Sequence, residues 1–245
     1  MIVVYDGEFE SFLTLVYEYY YSKIKIDKIV KKMPDSLFLD DVLVMEHDKT
    51  KSQKVLEALK NKFKKCYFES VLNVFMCDTI EFECDLLNYI VLGFKDQKQL
   101  ENINIECVFN IKAYQKELFS LYHKMSGFTR FEELEDKTLY AKIDVKYNIL
   151  YFLARHFNKR FNNQNFIIHD LKRELAYIHI YGNNSIQKVA YFEEPKLSGE
   201  EEKFRNLWKT FFKSISIQSR ENKKLQKQFV PLIYRTYMSE FINLE

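Results

Sequence analysis

The sequence predicts an α+β protein: a helix-rich amino-terminal half, an antiparallel sheet with helices in the carboxy-terminal half, and closing basic helices. Three observations lead there. Chain breakers are scarce, with 5 Gly and 3 Pro in 245 residues, so helices can run long. Apolar residues recur at helical spacing through the first half. After Gly127 the pattern changes to short β-prone runs separated by turn residues. That change divides the chain into 1–125 and 126–245, either as two domains or as parts of one continuous domain.

The opening Ile2-Val3-Val4-Tyr5 is β-prone and stops at the turn pair Asp6-Gly7. A helix follows from Phe9 to Tyr21, with Phe9, Phe12, Leu13, Val16, Tyr19 and Tyr20 on its apolar side. Pro34-Asp35-Ser36 breaks the chain before a short strand around Val42 to Met45. Ser52 to Lys64, Cys66 to Cys77, Ile80 to Leu92 and Cys107 to Lys124 are four further helices, and Gly127 is placed to cap the last in the left-handed conformation.

In the second half, Phe128 to Phe131 and Thr138 to Ile143 are expected as strands joined through the acidic loop Glu132 to Asp136. Asn148 is a candidate cap for a helix from Ile149 to Phe161, with an inner stripe of Ile149, Leu150, Leu153, Phe157 and Phe161. Phe166 to Ile168, Leu175 to Tyr181 and Ile186 to Phe192 form an antiparallel meander, turning at Leu171 to Glu174 and at Gly182 to Asn184. Pro195 to Glu202 is a polar connector into a helix from Lys203 to Ile217, and Pro231 is suited to start the final one.

Composition narrows the function classes. The start lacks the basic and long apolar stretches of a signal peptide, and no run of about 18 apolar residues exists, so a cytoplasmic protein without membrane contact is expected. Cys66, Cys77, Cys84 and Cys107 have irregular spacing and no C-x-x-C pair, which points to reduced thiols and no structural zinc site. No radical S-adenosylmethionine C-x3-C-x2-C spacing, phosphate-cradling glycine loop or deaminase pattern is present, and no cofactor or metal is expected.

Net charge is +2, but nine cations against one acid lie between Lys203 and Met238. That segment is therefore +8 and the remainder −6, a segregation that favours an anionic partner. Arg205, Lys209 and Lys213 recur every four residues, opposite a stripe of Phe204, Leu207, Trp208, Phe211, Phe212 and Ile215 expected to face the core. Trp208 is expected as a core anchor. Arg220, Lys223, Lys224 and Lys227 extend the cationic row, with Gln226 and Gln228 able to donate to phosphate or base edges. Arg155, Lys159, Arg160, Lys172 and Arg173 form a second basic set. Tyr177, His179 and Tyr181 alternate on one strand face, as core packing or as stacking groups for unpaired bases. Acid–base chemistry has weaker candidates: Asp6 after the first strand with Glu8 and Glu10 near, and His169-Asp170 at another strand end.

Several segments also resemble a family of DNA repair and DNA metabolism proteins. The opening Val4-Tyr5-Asp6-Gly7-Glu8-Phe9-Glu10-Ser11-Phe12-Leu13 is similar to that family's start, with Ser11 where Gly is frequent. Tyr147 to Leu150, Leu153-Ala154, His156-Phe157, Arg160-Phe161, and Ile167 to Asp170 with Lys172-Arg173 are similar to its middle. Leu207-Trp208-Lys209, Phe211-Phe212, Ile215, Ile217, Arg220, Asn222, Leu225-Gln226, Gln228-Phe229, Pro231 and Tyr234 are similar to its close. The resemblance implies a domain found beside a radical S-adenosylmethionine protein of DNA repair type, and related to domains fused to uracil-DNA glycosylase-like modules. It transfers no active site. The expectation is a DNA-binding accessory protein with such a partner. The alternatives are a metal-dependent nucleic-acid-processing enzyme, and a protein-interaction module without nucleic-acid contact.

Overall fold

The structure is a computed structural model that describes residues 1–33, 41–161, 163–189 and 196–241. The expected break at Pro34-Asp35-Ser36, the end of the expected strand at Phe192 and the connector start at Pro195 lie outside the described residues. The chain is α+β and divides into two compact units, Met1–Phe119 and Ser120–Glu245.

The first unit begins with β1 (Ile2–Val4), α1 (Phe9–Ser22), β2 (Lys28–Val30) and β3 (Val42–Val44). These strands form a parallel sheet in the order β2-β1-β3, with Val3 opposite both Ile29 and Leu43. Because parallel neighbours need a crossover, α1 is the connection from β1 to β2. Gly7, at φ 88°, makes the turn from β1 into α1. β2 was not foreseen: Lys28–Val30 is too short to show a period, and only pairing with β1 makes it a strand.

Among the described residues the unit is completed by α2 (Lys49–Lys62), α3 (Lys65–Phe75), α4 (Glu83–Lys95), a 3-10 helix at Gln97–Glu101 and the start of α5 (Glu106–Phe128). Asp48 caps α2, its carboxylate accepting the Thr50 and Lys51 N–H groups at 2.9 and 3.1 Å. The core joins Val3, Phe12, Leu15, Leu59, Val71, Ile90 and Val108, all fully buried. Gly93 on α4 is required there, since a Cβ would lie 2.4 Å from the Phe63 ring.

α5 runs to Phe128, so Gly127 is helical and not the left-handed cap expected of it, and Phe128 to Phe131 is not a strand. The second unit's sheet has the order β4-β5-β6-β7-β8, from β4 (Glu132–Glu133), β5 (Leu139–Ile143), β6 (Phe166–Asp170), β7 (Leu175–Ile180) and β8 (Asn183–Lys188). The expected meander is β6-β7-β8. The sheet is mixed, because β5 and β6 pair in parallel, with α6 (Leu150–Arg160) as the crossover between them. Tyr181 and Gly182 both take positive φ, 49° and 79°, in the two-residue turn into β8. β8 therefore starts at Asn183, three residues before the apolar Ile186 that marked it in the sequence.

The close comprises α7 (Glu201–Ser214), a 3-10 turn at Gln218–Arg220, α8 (Lys223–Phe229) and a 3-10 helix at Leu232–Tyr237. Pro231, at φ −56°, is the cap before that last element. All four cysteines are free, with Cys77 and Cys107 buried and Cys66 exposed. Among the described residues no helix is long and apolar enough to cross a membrane.

Candidate nucleic-acid interface

An open cavity of about 750 Å³ lies within the second unit. It is walled by the end of α5 and the segment after it, by the last turn of α6, and by α7. Its aromatic floor is Phe131, set edge-on against Phe157 and Phe161 at centroid separations of 4.8 and 4.9 Å, while Phe157 and Phe161 stack at 5.5 Å. Trp208 and Phe211 of α7 face the same space, 5.7 Å apart.

The orientation of α7 reverses the sequence expectation. Phe204, Leu207, Phe211 and Ile215 are more than half exposed, and Trp208 is 38 % exposed instead of anchoring the core. Of its charged residues Glu201 is buried and Arg205 and Lys209 are half-buried, while Glu202, Lys203 and Lys213 are exposed. A specific ion-pair network explains this. Arg205 donates to Glu201 at 3.1 Å and to Glu132 on β4 at 2.5 Å, and Glu201 accepts the Glu133 backbone N–H at 2.9 Å. Two carboxylates and an edge-strand amide thus tie Glu201 and Arg205 of α7 to β4, and Phe204, Leu207, Trp208 and Phe211 are left at the open cavity beside them. Arg205 is ion-paired through Nε and Nη2, so it is not a free cation of the proposed phosphate row.

A second tie holds Trp208. Its Nε1–H donates to Glu240 Oε2 at 3.1 Å, and Glu240 also receives Arg130, whose guanidinium lies 5.6 Å from the indole centroid. Burial pushes the Glu240 carboxyl up, but the hydrogen bonds and charge of Arg130, a backbone N–H and the Trp208 N–H together bring it below the usual carboxylate value. Arg130, Phe131 and Glu240 were not singled out from the sequence. No local signal marks them, because the pairing spans 110 residues.

Among the sequence candidates, Arg160 lines the cavity, is exposed, and forms no ion pair among the described residues; its guanidinium lies 6.0 Å from the Phe161 centroid. Arg155 and Lys159 are likewise exposed on the outer side of α6, one helical turn apart. Lys172 is exposed, as are Lys213, Arg220, Lys223, Lys224, Gln226, Lys227 and Gln228 along the closing elements.

Arg173 does not join them. Its Nη1 pairs with Asp170 at 2.9 Å, Nη1 and Nη2 donate to the Val145 and Lys146 carbonyls at 3.2 and 2.7 Å, and both charged side chains are buried. This is a corner brace between the β6–β7 turn and the loop after β5. His169, its neighbour, sits 2.9 Å from the Tyr140 hydroxyl through Nδ1. Burial, assisted by the Lys142 charge, lowers its pKa and favours the neutral ring.

Tyr177 and His179 are buried and Tyr181 is 87 % exposed, so the three do not form one face. The Tyr177 hydroxyl and His179 Nδ1 both reach Asn184 Oδ1, at 2.6 Å each. In the first unit, Asp6 accepts the Glu8 N–H at 2.9 Å and the Ser11 hydroxyl at 2.8 Å, closing the turn into α1. Asp6 and Glu8 belong to the first unit and His169 and Asp170 to the second, each set with structural partners of its own. Among the described residues no three His, Cys, Asp or Glu side chains are grouped so that they could hold a metal ion.

No curated protein and no solved structure matches the chain. A family model does, over residues 81–240, which include α6, the whole mixed sheet and every wall of the cavity. The match covers more than half of the sequence, and the chain belongs to that family, described as a domain of unknown function, DUF4130.

Proposed function

We propose that the chain is a DNA-binding accessory protein in DNA repair or modification, acting beside a radical S-adenosylmethionine or glycosylase-type partner. The observation that supports this best is Arg160, exposed and in no ion pair among the described residues, at an open cavity with an aromatic floor. An unpaired base has a π-face that stacks on Phe or Trp, worth about 1–3 kcal/mol per base, and its phosphates are attracted to free cations. Arg155 and Lys159 continue the positive charge from Arg160 along α6. The partner class comes from the resemblance of the sequence segments to DNA repair proteins. Trp208 is the single tryptophan and lines the cavity, so its fluorescence reports on occupancy. Titration with single-stranded DNA should quench Trp208, with affinity falling steeply as salt rises. Arg160→Ala should weaken binding without lowering the thermal midpoint. Quenching that is absent at low salt in the intact chain would remove this reading.

A second reading, a protein-interaction module with no direct nucleic-acid contact, is favoured by Ile215 and Ile217, which are 59 % and 54 % exposed beyond the cavity walls. It predicts a partner that co-purifies after nuclease treatment while the chain alone fails to shift DNA.

A further inference from the structure

The first unit carries an aromatic and cationic surface that the foregoing reading does not use. Two open cavities, of about 480 and 190 Å³, both include Tyr20 and Val91 in their walls, so they adjoin. They sit at the carboxy-terminal end of α1, against α2 and α4. The Tyr17, Tyr20 and Tyr21 rings make a continuous cluster there, with Tyr17–Tyr21 at 4.4 Å, Tyr20–Tyr21 at 5.4 Å and Tyr20–Phe94 at 6.5 Å. Tyr20 and Tyr21 are 53 % and 66 % exposed, which a purely structural cluster does not require.

Lys23, Lys25, Lys54, Lys62 and Lys95 line the same two cavities, all exposed and none in an ion pair among the described residues. Among the described residues the one acid in the walls is Asp27, which is bound to the Met1 amino group and also feels the Lys25 charge. Neutralising helix dipoles accounts for Lys62 and Lys95, in the last turns of α2 and α4. It does not account for Lys54, in the middle of α2 and 5.9 Å from the Tyr17 centroid, or for Lys25, which is outside any helix.

We propose that this groove binds single-stranded nucleic acid, with bases on the Tyr20 and Tyr21 rings and phosphates on the flanking lysines. An acidic peptide would satisfy the lysines equally well but would give the exposed rings nothing to stack on. A single strand offers both groups in alternation, and its recognition by rings and cations is independent of sequence. The inference rests on the nucleic-acid reading of the chain but concerns a different unit and different residues.

The test uses the full chain and a fluorescein-labelled 20-mer of deoxythymidylate. Lys25→Glu with Lys54→Glu should weaken binding by about tenfold at 0.1 M salt and lower the slope of log affinity against log salt by about 1.4, near 0.7 for each lost phosphate contact. Tyr20→Ala with Tyr21→Ala, both exposed and so compatible with an unchanged thermal midpoint, should weaken it by about tenfold or more through lost stacking. Affinity and slope unchanged in both variants overturn the proposal. So does binding lost in the lysine variant alone and matched by a polyglutamate competitor of equal charge, which would assign the groove to acidic protein. Arg160→Ala separates the two sites. Loss there alone overturns the groove and leaves the cavity; loss in the groove variants alone supports the groove and removes the cavity. A wild-type chain that does not bind the oligonucleotide overturns both.

Discussion

Glu240 is held by Arg130 through two roughly parallel hydrogen bonds, Nε to Oε2 at 3.2 Å and Nη2 to Oε1 at 2.5 Å, with the carboxylate 2 % exposed. The fork-to-carboxylate geometry makes this a directional pair, and Arg130 Nη1 also donates to the Gly127 carbonyl at 2.6 Å, which ties the end of α5 to the last described segment. Removing one partner leaves the other charge buried. Arg130→Ala should therefore cost about 3–5 kcal/mol in urea unfolding, and Arg130→Lys should recover only part of that, because a point charge cannot reproduce the fork.

The same pair sets an acid limit. The Glu240 carboxyl is held below its ordinary value of 4.5, so the folded state binds its proton less readily than the unfolded chain does. Its contribution is complete above about pH 5 and is lost as pH falls through the depressed folded value. Acid unfolding followed by circular dichroism should show a steeper loss in the wild type than in Glu240→Gln. Identical pH profiles would show that the pair adds no pH-dependent stability.

Lys172 and Arg173 are adjacent cations with opposite fates, one exposed and one braced against Asp170. Lys172→Ala should change the unfolding free energy by less than about 0.5 kcal/mol, whereas Arg173→Ala should cost about 3–5 kcal/mol by removing the cation paired with a fully buried carboxylate. Equal effects on stability would show that the brace is not a structural tie.

Gly93→Ala tests the packing of the first unit. Its new methyl would lie 2.4 Å from one Phe63 ring atom and 2.8 Å from another, so either the ring or α4 must move. Overpacking of this kind costs about 1–3 kcal/mol despite the higher helix propensity of Ala, and the thermal midpoint should fall. Phe63→Leu in the same chain should restore part of it.

The sequence makes the long helices legible because their apolar period repeats over three or more turns, as at Phe9 to Tyr21 and Cys107 to Lys124. β2 and β4, of three and two residues, carry no period and exist only through their neighbours. The parallel β5–β6 pair was hidden for a related reason: strand direction follows from the crossover geometry of α6, not from the residues of either strand. At the candidate interface, α6 periodicity correctly places Arg155 and Lys159 outward, whereas the same argument turns α7 the wrong way. What decides α7 is a set of long-range charges, Arg205 with Glu132 and the Glu133 amide with Glu201, whose partners lie about seventy positions earlier and leave no trace in helical spacing.

The outward hydrocarbon side of α7 also governs how the chain behaves in a test tube. Phe204, Leu207, Phe211 and Ile215 give it adhesiveness toward like surfaces, which sulfate and other structure-making salts intensify. Phosphate attraction weakens under the same addition. Rising ionic strength thus drives clumping and polyanion release together, and an apparent loss of ligand at high salt carries meaning only where light scattering stays flat.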